Sequence, residues 1–223
     1  MIFTTGPMRI IILKLNPSKC QALQVCFKQN KPDLPDLRIG TEPLPYVTEA
    51  KVLGVQLQNN LKWDSQVNNM LKKANRRLFM LRSLKKFGFD KDELCVVYGG
   101  YVRPIVEYAD AVWHSSISVK ESNDIESIQK RACRIILGGD YKSYDDALAA
   151  CDIDSLHCRR VEHCRRFAEG LPKNERTKCL IPPTRFESHG RNLRNSHKIS
   201  QLPAKTKRFQ CSPIPFYINL LNE

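Results

Sequence analysis

The chain has 223 residues, 42% hydrophobic, 26% charged and 8% aromatic, with a formal net charge of +13 and a pI near 9.4. This is the composition of a globular protein with a real core, and no apolar run approaches the length needed to cross a bilayer, which excludes a helical membrane protein. The surplus of cations favours a polyanionic partner, nucleic acid or an acidic surface, over a neutral one.

Met8 to Leu15 is a short apolar run that reads as a strand or the end of a helix, and Asn16-Pro17-Ser18 interrupts it as a turn. Leu23, Val25 and Phe27 alternate with polar residues, as in a half-buried strand. Lys31 to Asp36 holds two prolines and no apolar period, so it is a loop. Leu37-Arg38-Ile39, then Gly40 to Leu44, reads as a strand and tight turn, and Val52 to Leu57 as a strand with Gly54 inside it. These segments predict a small antiparallel sheet of three or four strands.

From Asp64 the period becomes helical, with Asp64 or Ser65 as the predicted N-cap. Val67, Met70, Leu71, Ala74, Leu78, Leu81 and Leu84 form the apolar face, and Lys72, Lys73, Arg76, Arg77, Arg82 and Lys85 the basic one. Gly88 is placed to end this helix, and Asp90 to cap a second that buries Leu94, Val97, Tyr98 and Tyr101. Pro104 starts or kinks a third, carrying Ile105, Tyr108, Ala109, Val112 and Trp113. A fourth runs from about Ser122 to Leu137, with Ile125, Ile128, Ala132, Ile135 and Ile136 inward, and stops at Gly138-Gly139. Asp145 to Ala150 and Leu156 to Leu171 are two more, the last crowded with Arg159, Arg160, Arg165 and Arg166.

After Pro172 prolines recur, and ten basic residues stand against three acidic ones. This segment is expected to be loosely ordered and docked through Phe186, Phe209 and the apolar stretch Ile214 to Leu221. The predicted class is α+β: a small antiparallel sheet in 1–62, a mainly helical bundle in 63–171, and a basic, proline-containing tail in 172–223.

Nine cysteines, odd in number and irregularly spaced, follow no secretory signal. They read as reduced thiols of an intracellular protein, nuclear or cytoplasmic. Cys151, His157, Cys158, His163 and Cys164 invite a zinc reading, but Cys158 and Cys164 are six apart and the paired two-residue spacing is absent. An amphipathic helix explains them without a metal. Trp63 and Trp113 have apolar neighbours and are expected in the core rather than stacked on bases.

One order of motifs spans the chain. Leu15-Asn16-Pro17-Ser18-Lys19-Cys20 is followed by Lys51-Val52-Leu53-Gly54-Val55 and by Leu61-Lys62-Trp63. Then come Lys73-Ala74, Arg77-Leu78, Leu81, the run Tyr101 to Ala109, Val112-Trp113-His114, Gln129-Lys130-Arg131-Ala132 and Arg134-Ile135-Ile136. This order resembles the end of the palm, the thumb and the post-thumb region of jockey-like non-LTR retrotransposon reverse transcriptases. The resemblance runs from about Leu15 to Asn222, weakening through Leu193-Arg194 and Thr206 to Phe209.

The resemblance implies that 1–62 is a palm remnant with primer-grip-like strands and 63–171 a thumb. Lys19 would fall on the lysine that assists pyrophosphate release, a role it holds only with an upstream palm; alone it reads as a solvated lysine. Gly54 would fall in the primer-grip turn, where a missing side chain lets a primer backbone approach. Lys72, Lys73, Arg76, Arg77, Lys130 and Arg131 would hold RNA or an RNA–DNA template–primer duplex by its phosphates, with no membrane partner. Arg159, Arg160, Arg165 and Arg166 form a second candidate basic patch.

The chain departs from the family where chemistry occurs. Polymerisation needs metal ions held by carboxylates, which the family supplies from an upstream aspartate and an aromatic-Ala-Asp-Asp turn. Neither precedes Asn16, and Tyr108-Ala109-Asp110 lacks the second aspartate. The expectation is a reverse transcriptase fragment that holds template–primer and is inactive alone. No cofactor is expected in this chain, and Mg²⁺ only with the full-length polymerase, whose upstream fingers and palm are the missing partner. The alternatives are a non-enzymatic basic nucleic-acid-binding module or a relic. Lys51 to Arg82 is also similar to the N-terminal region of AlkB-homologue tRNA methyltransferases, but neither a His-x-Asp iron site nor a glycine-rich cofactor loop is found.

Overall fold

A computed structural model describes residues 15–30, 32–33, 35–190 and 194–223. The expected element from Met8 therefore lies outside the described residues except for Leu15. The class is α+β, and the chain divides into two compact units between Leu61 and Lys62.

In the first unit the strands do not join into one sheet. β1 (Ala22–Leu23) pairs in parallel with β4 (Tyr46–Val47), β2 (Arg38–Ile39) pairs antiparallel with β3 (Glu42–Pro43), and β5 (Glu49–Val52) pairs antiparallel with β6 (Val55–Gln58). Prolines explain much of this fragmentation. Pro43 ends β3 and Pro45 precedes β4, and neither has an N–H to extend a ladder. The expected alternation over Leu23, Val25 and Phe27 stops after Leu23, and Val25 and Phe27 are exposed. Gly54 is not inside a strand. It forms with Leu53 the two-residue turn of the β5–β6 hairpin, and both have positive φ, +47° for Leu53 and +89° for Gly54. That turn geometry matches the twist of the flanking strands.

The second unit is built on α1 (Asp64–Lys86) and α5 (Val119–Leu137), which pack along each other. Val67, Met70, Ala74, Leu78 and Leu81 are buried on α1, and Ile125, Ile128, Ala132 and Ile136 on α5, both at helical spacing. Trp63 occupies the N-cap position of α1, so Asp64 is the first helical residue rather than the cap; its carboxylate still suits the positive helix end. Gly88, at φ +91°, ends the helix as expected. Asp90 and Glu93 form a capping box on α2 (Lys91–Val97). Ser118 and Glu121 form another on α5, which therefore starts earlier than Ser122.

The predicted second and third helices are reorganised. α2 runs into a π-helical turn, Tyr98–Val102, and on into α3 (Arg103–Glu107). Tyr101 is consequently turned outward rather than buried. The chain then breaks at Ala109, left-handed at φ +53°, before the short α4 (Asp110–Trp113). Tyr108 and Val112 are exposed, whereas Trp113 is fully buried and Trp63 packs against the same core.

α6 (Tyr144–Cys151) and α7 (Leu156–Gly170) follow. Beyond α7 come the short α8 (Arg185–His189) and α9 (Lys207–Gln210), then α10 (Pro213–Asn222). The apolar end docks as expected: Tyr217 and Leu220 of α10 share a cluster with Cys164, Ala168 and Leu171. The Tyr217 hydroxyl also donates to the Ala111 carbonyl. Phe186 and Phe209 do not dock and are exposed. Among the described residues no helix is long and apolar enough to cross a membrane.

Candidate nucleic-acid interface

α1 carries seven basic residues and one acidic residue, Asp64 at its start. Its apolar face is consumed by the core, so most of the cations are forced to the other side. Lys72, Lys73, Arg76, Arg82 and Lys86 are exposed. The ion pairs among the described residues involve other cations. The face is therefore not internally neutralised, which is what a polyanion requires.

Arg77 is different. Its guanidinium carbon lies 4.1 Å from the centre of the Tyr101 ring, and Nη1 donates to the Tyr101 carbonyl oxygen at 2.5 Å. It thus fastens α1 to the π-helical turn. Lys130 and Arg131 are exposed on α5. Lys130 lies 5.0 Å from the centre of the Tyr144 ring, and Arg131 Nε donates to the Ser127 carbonyl. Lys19 ends an exposed 3₁₀ turn, Pro17–Lys19, whose Asn16 side chain accepts from the Ser18 amide. Lys19 and Gly54 belong to the first unit and the other six predicted residues to the second.

The arginines of the second candidate patch are all engaged with partners inside the chain, and only Arg166 among them is exposed. Arg159 binds Glu107 through two hydrogen bonds, of 2.5 and 3.2 Å. Arg165 bonds Glu223 and the Leu220 carbonyl, and Arg166 pairs with Glu162. Arg160 is fully buried: Nε donates to His114 Nδ1 at 3.3 Å and Nη2 to Ser122 Oγ at 3.0 Å. Burial pushes the His114 imidazole down to about 4, with the Arg160 charge as a second cause. Asp110, in the Tyr-Ala-Asp segment, is also buried and lies 2.6 Å from His163 Nδ1. Burial raises its carboxyl, and His163 opposes the shift. These groups belong to the interior of the helical unit.

The Gln129-Lys130-Arg131-Ala132 motif has a structural role that the sequence reading missed. Gln129 is fully buried; its Oε1 accepts from the Tyr98 hydroxyl at 2.6 Å, and its Nε2 donates to the Tyr144 hydroxyl and to the Asp154 carbonyl. Tyr144 in turn donates to Glu126, which accepts from the Leu156 and His157 amides at the start of α7. Four segments are joined through one amide. The signal was Gln129's spacing, four residues after Ile125 and three before Ala132, which puts it on the buried face.

The shallow depression lined by Asp145, Asp152, Asp154 and Cys158 is acidic and does not suit a polyanion. Among the described residues no group of three or more His, Cys, Asp and Glu side chains is arranged to hold a metal ion. No protein-family model, curated protein or solved structure matches the chain.

Proposed function

We propose that the chain is the template–primer-holding, thumb-side part of a non-LTR retrotransposon reverse transcriptase, acting inside the cell on RNA or an RNA–DNA duplex. The observation that carries the reading is the cation face of α1. Lys72, Lys73 and Arg76 stand in solvent on a helix with no acidic residue after Asp64. Together with the ordered motifs, that face supports phosphate binding without sequence readout. Lys130 and Arg131 supply a second cationic pair, and Arg77 positions α1 rather than touching phosphate. The Leu53-Gly54 hairpin is the primer-grip candidate, and Lys19 a proton donor only beside a palm. The two-metal chemistry belongs to palm carboxylates and their Mg²⁺, and none of the residues here is assigned to it.

A second reading, a basic nucleic-acid-binding module with no enzymatic role, is favoured by the self-contained core of the helical unit. Fluorescence anisotropy with a labelled RNA–DNA hybrid tests what the two readings share. The variant Lys72→Gln/Lys73→Gln/Arg76→Gln binds at least about tenfold more weakly than wild type at an unchanged melting temperature, since each phosphate contact adds to affinity. Equal binding by the two proteins contradicts the assignment. Primed synthesis on addition of a separately made palm then favours the polymerase reading, and none favours the module.

A further inference from the structure

On α1 the cations do not stand alone. Phe79 is 69% exposed and Met80 42% exposed, although both lie in the middle of a long, well-packed helix. Lys72, Arg76, Phe79 and Lys86 are spaced by four, three and seven residues, so they fall on one face, with Met80 beside them. Phe79 is midway between Lys72 and Lys86. At the rise of an α-helix those two lysines are about 21 Å apart, with the ring about 10 Å from each. A bare phenyl ring in this position loses free energy to water and adds nothing to phosphate contacts alone.

A face with cations around a flat apolar ring has a natural complement in a strand of alternating phosphates and unstacked bases. A paired duplex presents its phosphates but keeps its base faces stacked inside; an unpaired strand presents both. We infer that the Lys72–Lys86 face of α1 binds an unpaired nucleic-acid strand, with a base stacked on Phe79 beside Met80 and the neighbouring phosphates held by Lys72, Arg76 and Lys86. The inference rests on the nucleic-acid reading above and adds an unpaired strand to the duplex backbone as a ligand of this face.

The test uses the full chain and two probes, a labelled single-stranded RNA 20-mer and a blunt RNA–DNA hybrid of the same length. Phe79→Ala weakens binding of the single strand about 5- to 150-fold, the range for loss of one stacking platform, and leaves hybrid binding within about twofold. Phe79→Trp retains single-strand binding, whereas a role in charge alone predicts that Phe79→Ala retains it as well. Equal effects of Phe79→Ala on both probes, or none on either, overturn the inference while the duplex reading stands. If wild type binds neither probe, both fall together. Self-association of wild type that Phe79→Ala abolishes would assign the face to a second copy of the chain and also overturn it.

Discussion

The guanidinium carbon of Arg77 in α1 lies 4.1 Å from the centre of the Tyr101 ring, and Arg77 Nη1 donates to the carbonyl of the same residue. The contact joins α1 to the π-helical turn and uses both the charge of the guanidinium and one of its N–H groups. Arg77→Ala should therefore act on stability before binding, by about 1–2 kcal/mol for a lost cation–π contact and charged hydrogen bond. Arg77→Lys restores only part of this, because an ammonium is not a planar fork. Thermal melts beside hybrid-binding curves check the point. Unchanged melting with abolished binding would return Arg77 to the phosphate-binding set.

Gln129 satisfies groups from three other segments, so removing its amide strands several partners at once. Gln129→Leu is expected to cost about 2–4 kcal/mol, from the unpaired Tyr98 hydroxyl and Asp154 carbonyl. Tyr98→Phe added to Gln129→Leu should cost less than Tyr98→Phe alone, since the two share one bond. Urea denaturation of the four proteins in the cycle measures the coupling, and strict additivity would contradict a shared network.

The buried His114 makes the fold acid-sensitive. Its folded value of about 4 lies below the ordinary 6.5, so between these values the unfolded chain binds more protons than the native one. Its contribution is complete above about pH 6.5 and is lost as the pH falls toward 4, by at most about 3 kcal/mol. Asp110, raised by burial, works in the opposite direction over the acid range and offsets part of that loss. His114→Gln keeps an acceptor for Arg160 and should flatten the acid limb. The difference between the two stability–pH curves isolates His114, and identical curves would contradict its burial in the neutral form.

The cysteines should divide by reactivity. Cys158, Cys179 and Cys211 are exposed, whereas Cys133 and Cys164 are fully buried. Burial pushes Cys133 up to about 11 and Cys164 up to about 12, so neither offers much thiolate in the folded protein. Timed alkylation read by peptide mass spectrometry should label the exposed three quickly and these two only as the chain unfolds. Rapid labelling of Cys164 would contradict the docking of α10 over α7.

What the sequence made legible was local. The apolar period placed α1 and α5, and Gly88, Asp90 and Gly138 marked helix ends because caps act on the adjacent backbone. The start of α5 was also available in the Ser118-to-Glu121 spacing, which the apolar period alone placed too late. The pairing of Arg159, Arg160 and Arg165 was not legible because their partners Glu107, His114, Ser122 and Glu223 are distant in sequence; only the Arg166–Glu162 pair is local. The break at Ala109 has no glycine to announce it; on either side of it the Tyr108 carbonyl accepts from the Trp113 indole and the Ala111 carbonyl from the Tyr217 hydroxyl. In the first unit, runs of two to four paired residues carry too little period to show which strands join. The exposed Phe79 was visible in principle, since helical spacing puts it among the cations.

The claim at the centre of this account is that the α1 face holds nucleic-acid phosphate. The salt dependence of RNA–DNA hybrid binding tests it most directly, because each neutralised phosphate contributes about 0.9 to the slope of log affinity against log salt. Wild type should show a steep linear fall, and Lys72→Gln/Lys73→Gln/Arg76→Gln a slope smaller by about two to three. The same slope in both proteins, or binding indifferent to salt, would contradict the claim.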